Sequence, residues 1–172
     1  MSLSTGDARM FGFAQYLPAV LSQGRVERAR DIYEQNRHRV YSLAFWMADN
    51  ELSAEELMNQ TFCSAFANSD EPSAEDIDRA LIAELHTYFD LGTLTLNCSP
   101  CERVLNVRGN VLRVELERAV IQLPATEKLM FLMHDVEGYG HDRIARLLGA
   151  TEDESRRGVH QGRLRLRELL AK

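Results

Sequence analysis

The chain of 172 residues reads as an all-α protein built from two small helical domains. Three observations predict that class. Apolar residues recur at helical spacing in segment after segment, whereas alternation of the kind a half-buried strand needs is confined to Leu94-Thr95-Leu96. Helix-start signals stand before several of these segments, at Ser53-Ala-Glu-Glu56 and again at Thr151-Glu-Asp-Glu154. Turn-forming and polar residues (Gly92, Asn97, Ser99, Pro100, Asn106, Gly109, Asn110) gather in one place, which makes 93–110 the linker.

The periodicity predicts helices over 8–22, 25–48, 53–68, 73–91, 110–122, 125–136, 140–148 and 152–170. Residues 1–24 form an N-terminal helical arm, 25–92 the first domain and 111–172 the second. In the 25–48 helix Tyr33, Val40, Ala44 and Met47 share a face. The next helix carries Leu57, Met58, Phe62, Ala65 and Phe66 in two apolar columns, with Phe45 and Trp46 adding bulk beside them, and this stripe reads as core. Pro72 and Pro124 mark breaks, as do Pro18 and Pro100. In the second domain Leu116, Val120 and Leu123 are spaced i, i+4, i+7, and Leu129, Leu132, Met133 and Val136 are spaced i, i+3, i+4, i+7, enough to close one small core.

The most specific local pattern lies between 140 and 167. Ile144, Leu147 and Leu148 form the apolar face of a short helix, and Gly149 follows where a helix ends in a left-handed residue. Thr151 and Glu154 then open a second helix, along which Arg156, His160, Arg163 and Arg167 fall at i, i+4, i+7, i+11, with Arg157 beside them. This is a helix-turn-helix with a basic second helix, and its natural partner is duplex DNA. The plainer alternative is an amphipathic helix with a solvated basic face. The formal net charge is −6, but from Ser155 to Lys172 six cations face one acid, a local +5, which leaves −11 for residues 1–154. Such a chain would hold DNA weakly by itself and suits delivery to DNA by a larger partner.

Composition narrows the other classes. Hydrophobic content of 45% and charged content of 27% are those of a globular protein, and no apolar run approaches the roughly 18 residues of a membrane span. Without a basic n-region before a hydrophobic stretch there is no signal peptide, so the cytoplasm is the expected compartment. Three cysteines argue against a disulfide framework. Cys98-Ser-Pro-Cys101 stands alone, so incidental thiols are favoured over a redox pair or half a zinc site. His134-Asp135 and His141-Asp142 read as helix-end and turn residues. No phosphate-cradling loop, nucleophile elbow or paired carboxylates occur, so neither catalysis nor a cofactor or metal is expected.

Two stretches, taken in order, resemble a known family. Val40-Tyr-Ser-Leu-Ala44 is followed by Ala54-Glu-Glu-Leu-Met-Asn-Gln-Thr-Phe62. Later come Leu123-Pro124, Asp135-Val-Glu-Gly138, Ile144-Ala-Arg-Leu-Leu-Gly149 and His160-Gln-Gly-Arg163. These resemble regions two and four of the extracytoplasmic-function sigma factors, the small promoter-recognition subunits of bacterial RNA polymerase. The resemblance implies that Glu55, Glu56 and Asn59 contact core RNA polymerase, and that Arg156, Arg157, His160, Arg163 and Arg167 lie nearest promoter double-stranded DNA. It also makes an anti-sigma factor a candidate partner. Departures are visible. Between Asn68 and Asp90 seven acids face one arginine, a local −6, where the family handles the melted strand with basic residues. His86, Tyr88 and Phe89 could stack on bases, but the charge opposes it. Gly158 and Gln161 stand where the family often has Arg, and Ser155 replaces an apolar residue. A sigma-like adaptor acting by protein–protein contact, with little or no promoter melting, is the alternative function.

Overall fold

The computed structural model describes residues 23–99 and 111–171. The arm helix expected over 8–22 and linker residues 100–110 lie outside them. Among the described residues there is no strand. The helices are α1 (Gln23–Ala48), α2 (Glu51–Asn68), α3 (Ala74–Tyr88), α4 (Arg113–Ile121), α5 (Ala125–Phe131), α6 (His141–Leu148) and α7 (Glu152–Leu170). A wide π-helical turn, Leu132–Val136, extends α5.

The first group is a three-helix unit. Tyr33, Val40, Leu43, Ala44 and Met47 of α1 are buried against Ala54, Leu57, Met58, Phe62 and Ala65 of α2. The Tyr33 and Phe62 rings meet at 4.7 Å. α1 stops at Ala48, where Asp49 turns the chain with φ at 62°. The start of α2 differs from expectation. Its cap is Asn50, whose side chain accepts the Ser53 N–H at 2.8 Å, and not Ser53 itself. Either residue can serve, and the tight turn at Asp49 presents Asn50 first. α3 begins with a full capping box, in which Ser73 accepts from the Asp76 N–H and the Asp76 carboxylate accepts from the Ser73 N–H. The Ser73 hydroxyl and the Ser73 N–H both donate to the Asp76 carboxylate and, with Arg79 nearby, hold it below its usual pKa. Ile77, Leu81, Ile82 and Leu85 bury its inner face.

In the second group α4, α5 and α6 all pack against α7. Val120, Leu123, Leu129, Leu132 and Met133 are buried as the spacing predicts. Leu116 and Val136 are not, at 41% and 53% exposed. α4 is only 9 residues long and buries Ala119 and Val120, leaving Leu116 on its outer side. Val136 closes the π turn, whose extra residue per turn rotates it off the α5 stripe. The apolar core runs without interruption from one group into the other, through contacts of α1 with α5 and α3 with α6.

Candidate nucleic-acid interface

The geometry of α6 and α7 follows from local signals. Ile144, Ala145, Leu147 and Leu148 are buried, and Gly149 ends α6 with φ at 63°, donating its N–H to the Ala145 carbonyl. A side chain would be strained there. Thr151 accepts the Glu154 N–H at 3.1 Å, while the Glu154 carboxylate accepts the Thr151 N–H at 2.8 Å. The Thr151 N–H and then the Thr151 hydroxyl donate to the Glu154 carboxylate and keep it below its usual pKa. α7 then buries Ser155, Gly158, Val159, Gly162, Leu164 and Leu166. The alternate face exposes Arg156, Arg157, His160, Arg163 and Arg167 together.

Two of those five arginine and histidine side chains are already engaged by carboxylates. Arg156 meets Glu152 at 2.8 Å, one turn earlier on α7. Arg163 forms a two-pronged pair with Asp135, at 2.8 Å from Nε and 2.5 Å from Nη2. Such planar forks are the geometry with which a guanidinium also meets a phosphate. Beside them the rings of His134 and His141 stack with centroids 4.3 Å apart. His141 Nδ1 lies 3.0 Å from Ser155 Oγ. Burial, then the neighbouring His134, Arg156 and Arg163, push the His141 pKa down.

The second expected surface lies on α2. Glu56 and Asn59 are exposed and Glu55 is half-buried, beside the buried Leu57 and Phe62 of the same helix. A shallow hollow lined by Ala48, Ser53, Leu57, Tyr88 and Phe89 opens beside Glu56. The structure thus groups the five α7 residues on one face and the three α2 residues on another.

Sequence reasoning missed a buried acid that ties three helices together. Asp78 is 2% exposed. Its Oδ1 accepts from Arg39 of α1 at 2.9 Å and from the Tyr139 hydroxyl at 2.9 Å, and its Oδ2 accepts from Arg143 of α6 at 2.5 Å. The Arg143 guanidinium stacks 4.2 Å over the Tyr139 ring. Burial and the Asp78 charge push the Tyr139 phenol well above its ordinary pKa. One signal was available: Asp78 sits in register with Leu81, Ile82 and Leu85, where an acid has no place unless it is paired. Cys101 lies outside the described residues. Cys98 is a free thiol 3.9 Å from Glu168, and burial followed by the Glu168 charge raises its pKa, the reverse of an activated cysteine.

Residues 113–166 match the family model of sigma-70, region 4, from α4 through most of α7. Over 157 residues the chain is 26% identical to the ECF RNA polymerase sigma factor SigE of Mycolicibacterium smegmatis, covering 83% of this chain. It spans 61% of that relative's length. The chain is thus similar to an ECF-type sigma factor, and most specifically so over residues 113–166. Within this sigma-like frame the departures acquire physical reasons. Ser155 replaces an apolar residue because its hydroxyl meets His141 at 3.0 Å. At Gly158 a Cβ would overlap the Met130 sulfur and come within 3.0 Å of a Leu94 methyl, so glycine lets the ends of those side chains lie against α7. The Gln161 amide is bonded to the Cys98 backbone.

Proposed function

We propose that this chain is a transcription initiation factor that binds core RNA polymerase and directs it to promoter DNA. It acts by binding alone, in the cytoplasm, without cofactor or chemistry of its own. The observation that carries this reading is the exposed stripe Arg156, Arg157, His160, Arg163 and Arg167 on the second helix of a capped helix-turn-helix matched by the sigma-70 region 4 model. Those side chains would meet promoter double-stranded DNA, with the Arg163 fork exchanging Asp135 for a phosphate or base edge. Glu55, Glu56 and Asn59 would dock on the polymerase, where opposite charge steers association. An anti-sigma factor is the proposed regulator. Run-off transcription with reconstituted core polymerase tests the reading: a transcript dependent on this chain is expected, and weakened polymerase capture by the double variant Glu56→Lys, Asn59→Ala. Failure of the chain to bind core polymerase at low salt rejects it.

A second reading, the adaptor that works by protein contact, is favoured by a specific observation. Two basic side chains of the stripe are paired with acids, Arg156 with Glu152 and Arg163 with Asp135. The α3 region is also acidic, at seven acids against one arginine from Asn68 to Asp90. Polymerase binding without promoter-dependent transcript would select this reading.

A further inference from the structure

Residues 91–98 leave α3 as an extended segment and run along the second helical group. Leu94, Leu96 and Cys98 are half-buried while Thr95, Asn97 and Ser99 are exposed, the period-two pattern of an extended chain lying on a surface. The backbone is held by side chains. Thr126 Oγ1 accepts the Gly92 N–H at 3.1 Å. Glu127 Oε1 accepts two successive N–H groups, from Thr95 at 2.5 Å and from Leu96 at 2.7 Å. Gln161 Oε1 accepts the Cys98 N–H at 2.5 Å, and its Nε2 donates to the Cys98 carbonyl at 3.2 Å.

Glu127 is completely buried, and its second oxygen has no partner among the described residues. A buried carboxylate is tolerated only when hydrogen bonds compensate its lost hydration. Here the main compensation comes from the extended segment, so the helices are built to receive it. The same segment bears on two odd residues of α7: Leu94 with Met130 packs against Gly158, and Gln161 pairs with Cys98 as a neighbouring strand would.

We propose that residues 91–98 are a strap, bound by the helix-turn-helix group as an extended peptide, and that Glu127 and Gln161 are positioning residues that set α7 for DNA reading. The inference rests on α7 being the DNA-contact helix. The strap joins α5, through Thr126 and Glu127, to α7, through Gln161. Across the helix the Arg163–Asp135 pair makes a second brace to the π turn that follows α5. DNA that takes Arg163 from Asp135 removes this brace, and the strap then keeps the tilt of α7. Gln161 follows His160 directly and lies beside the basic stripe, so a loosened strap shifts the stripe without touching its charges.

The test uses the full chain, a short mixed-sequence DNA duplex, and amide hydrogen exchange at temperatures where circular dichroism shows each variant folded. Gln161→Ala is expected to speed exchange at the Cys98 amide about tenfold. It should weaken duplex binding several-fold while leaving the salt dependence unchanged, because no phosphate contact is lost. Glu127→Gln, whose amide oxygen still accepts from Thr95 and Leu96, should preserve both properties, whereas Glu127→Leu should lose both. Unchanged Cys98 exchange in Gln161→Ala overturns the strap. Faster exchange with unchanged DNA affinity overturns the positioning role. A salt slope reduced as in Arg156→Ala would make Gln161 a DNA contact and overturn it too. No duplex binding by the unsubstituted chain at low salt rejects the DNA reading and the positioning role with it, while amide protection decides the strap separately.

Discussion

The buried Asp78 carboxylate joins α1, α3 and α6 through bonds from Arg39, Tyr139 and Arg143. Removing it leaves two guanidinium groups facing a core without their counter-charge. A broken buried pair costs about 3–5 kcal/mol. Arg39 and Arg143 are 20% and 32% exposed and can recover hydration, so the lower end applies. Asp78→Ala should therefore lower the unfolding free energy by about 3 kcal/mol, read from the midpoint of guanidinium denaturation at constant m. Tyr139→Phe, which removes a single bond to the same carboxylate, should cost about half as much. An Asp78→Ala loss no greater than that of Tyr139→Phe would contradict the central role of the carboxylate.

His141 offers a second residue-scale test. Its folded pKa is pushed below the ordinary value of 6.5, by burial first and by His134, Arg156 and Arg163 next. The unfolded chain then binds the proton more readily than the folded one, so stability rises with pH. This contribution is fully present above about pH 6.5 and is lost as pH falls from there through the lower folded pKa. Titrating the denaturation midpoint against pH should show the decline, and His141→Gln should flatten it. A decline of the same size in His141→Gln would place its source elsewhere.

At the scale of elements, the helix-turn-helix was legible because its determinants are local. The αL glycine at 149 and the reciprocal Thr151–Glu154 box bond to residues within a few positions, so no distant contact is needed to form them. Thr151→Ala should cost about 1 kcal/mol by leaving a helix-terminal N–H without its acceptor. Thr151→Ser should restore most of it, which thermal unfolding of the pair would show. The ends of α2 and α5 were less legible. Asn50 and Ser53 are both competent caps, and only the Asp49 turn decides between them. The π turn that rotates Val136 outward carries no signature in the apolar spacing.

At the scale of the whole molecule the decisive quantity is the distribution of charge. The stretch from Ser155 to Lys172 carries +5 while residues 1–154 carry −11. Counterion release makes each phosphate contact contribute about −0.9 to the slope of log K against log salt. With Arg156, Arg157, Arg163 and Arg167 as contacts the slope should be roughly −3 to −4. Arg156→Ala together with Arg163→Ala should reduce its magnitude by about two. The acidic remainder repels the duplex, so affinity of the chain alone should be low, and rise when core polymerase is added. Fluorescence anisotropy on a labelled duplex across a salt series measures both. A slope untouched by the double substitution would exclude the stripe as the contact surface.

From the sequence by itself followed the helical class, most of the buried faces of α1, α2 and α5, and the basic stripe of α7. Each depends on periodicity or on bonds between near neighbours, which a linear pattern records. Only the tertiary structure decided what Asp78, Ser155, Gly158 and Gln161 are for. Their partners stand 61 and 65 residues away for Tyr139 and Arg143, 14 for His141 and 63 for Cys98, and Gly158 adjoins Met130 and Leu94 on two other segments. The alternation at Leu94-Thr95-Leu96 was visible from the start as a strand-like fragment with no sheet to join. The fold meets its backbone with the side chains of Glu127 and, at Cys98, Gln161, because a buried carboxylate and an extended N–H row each supply what the other lacks.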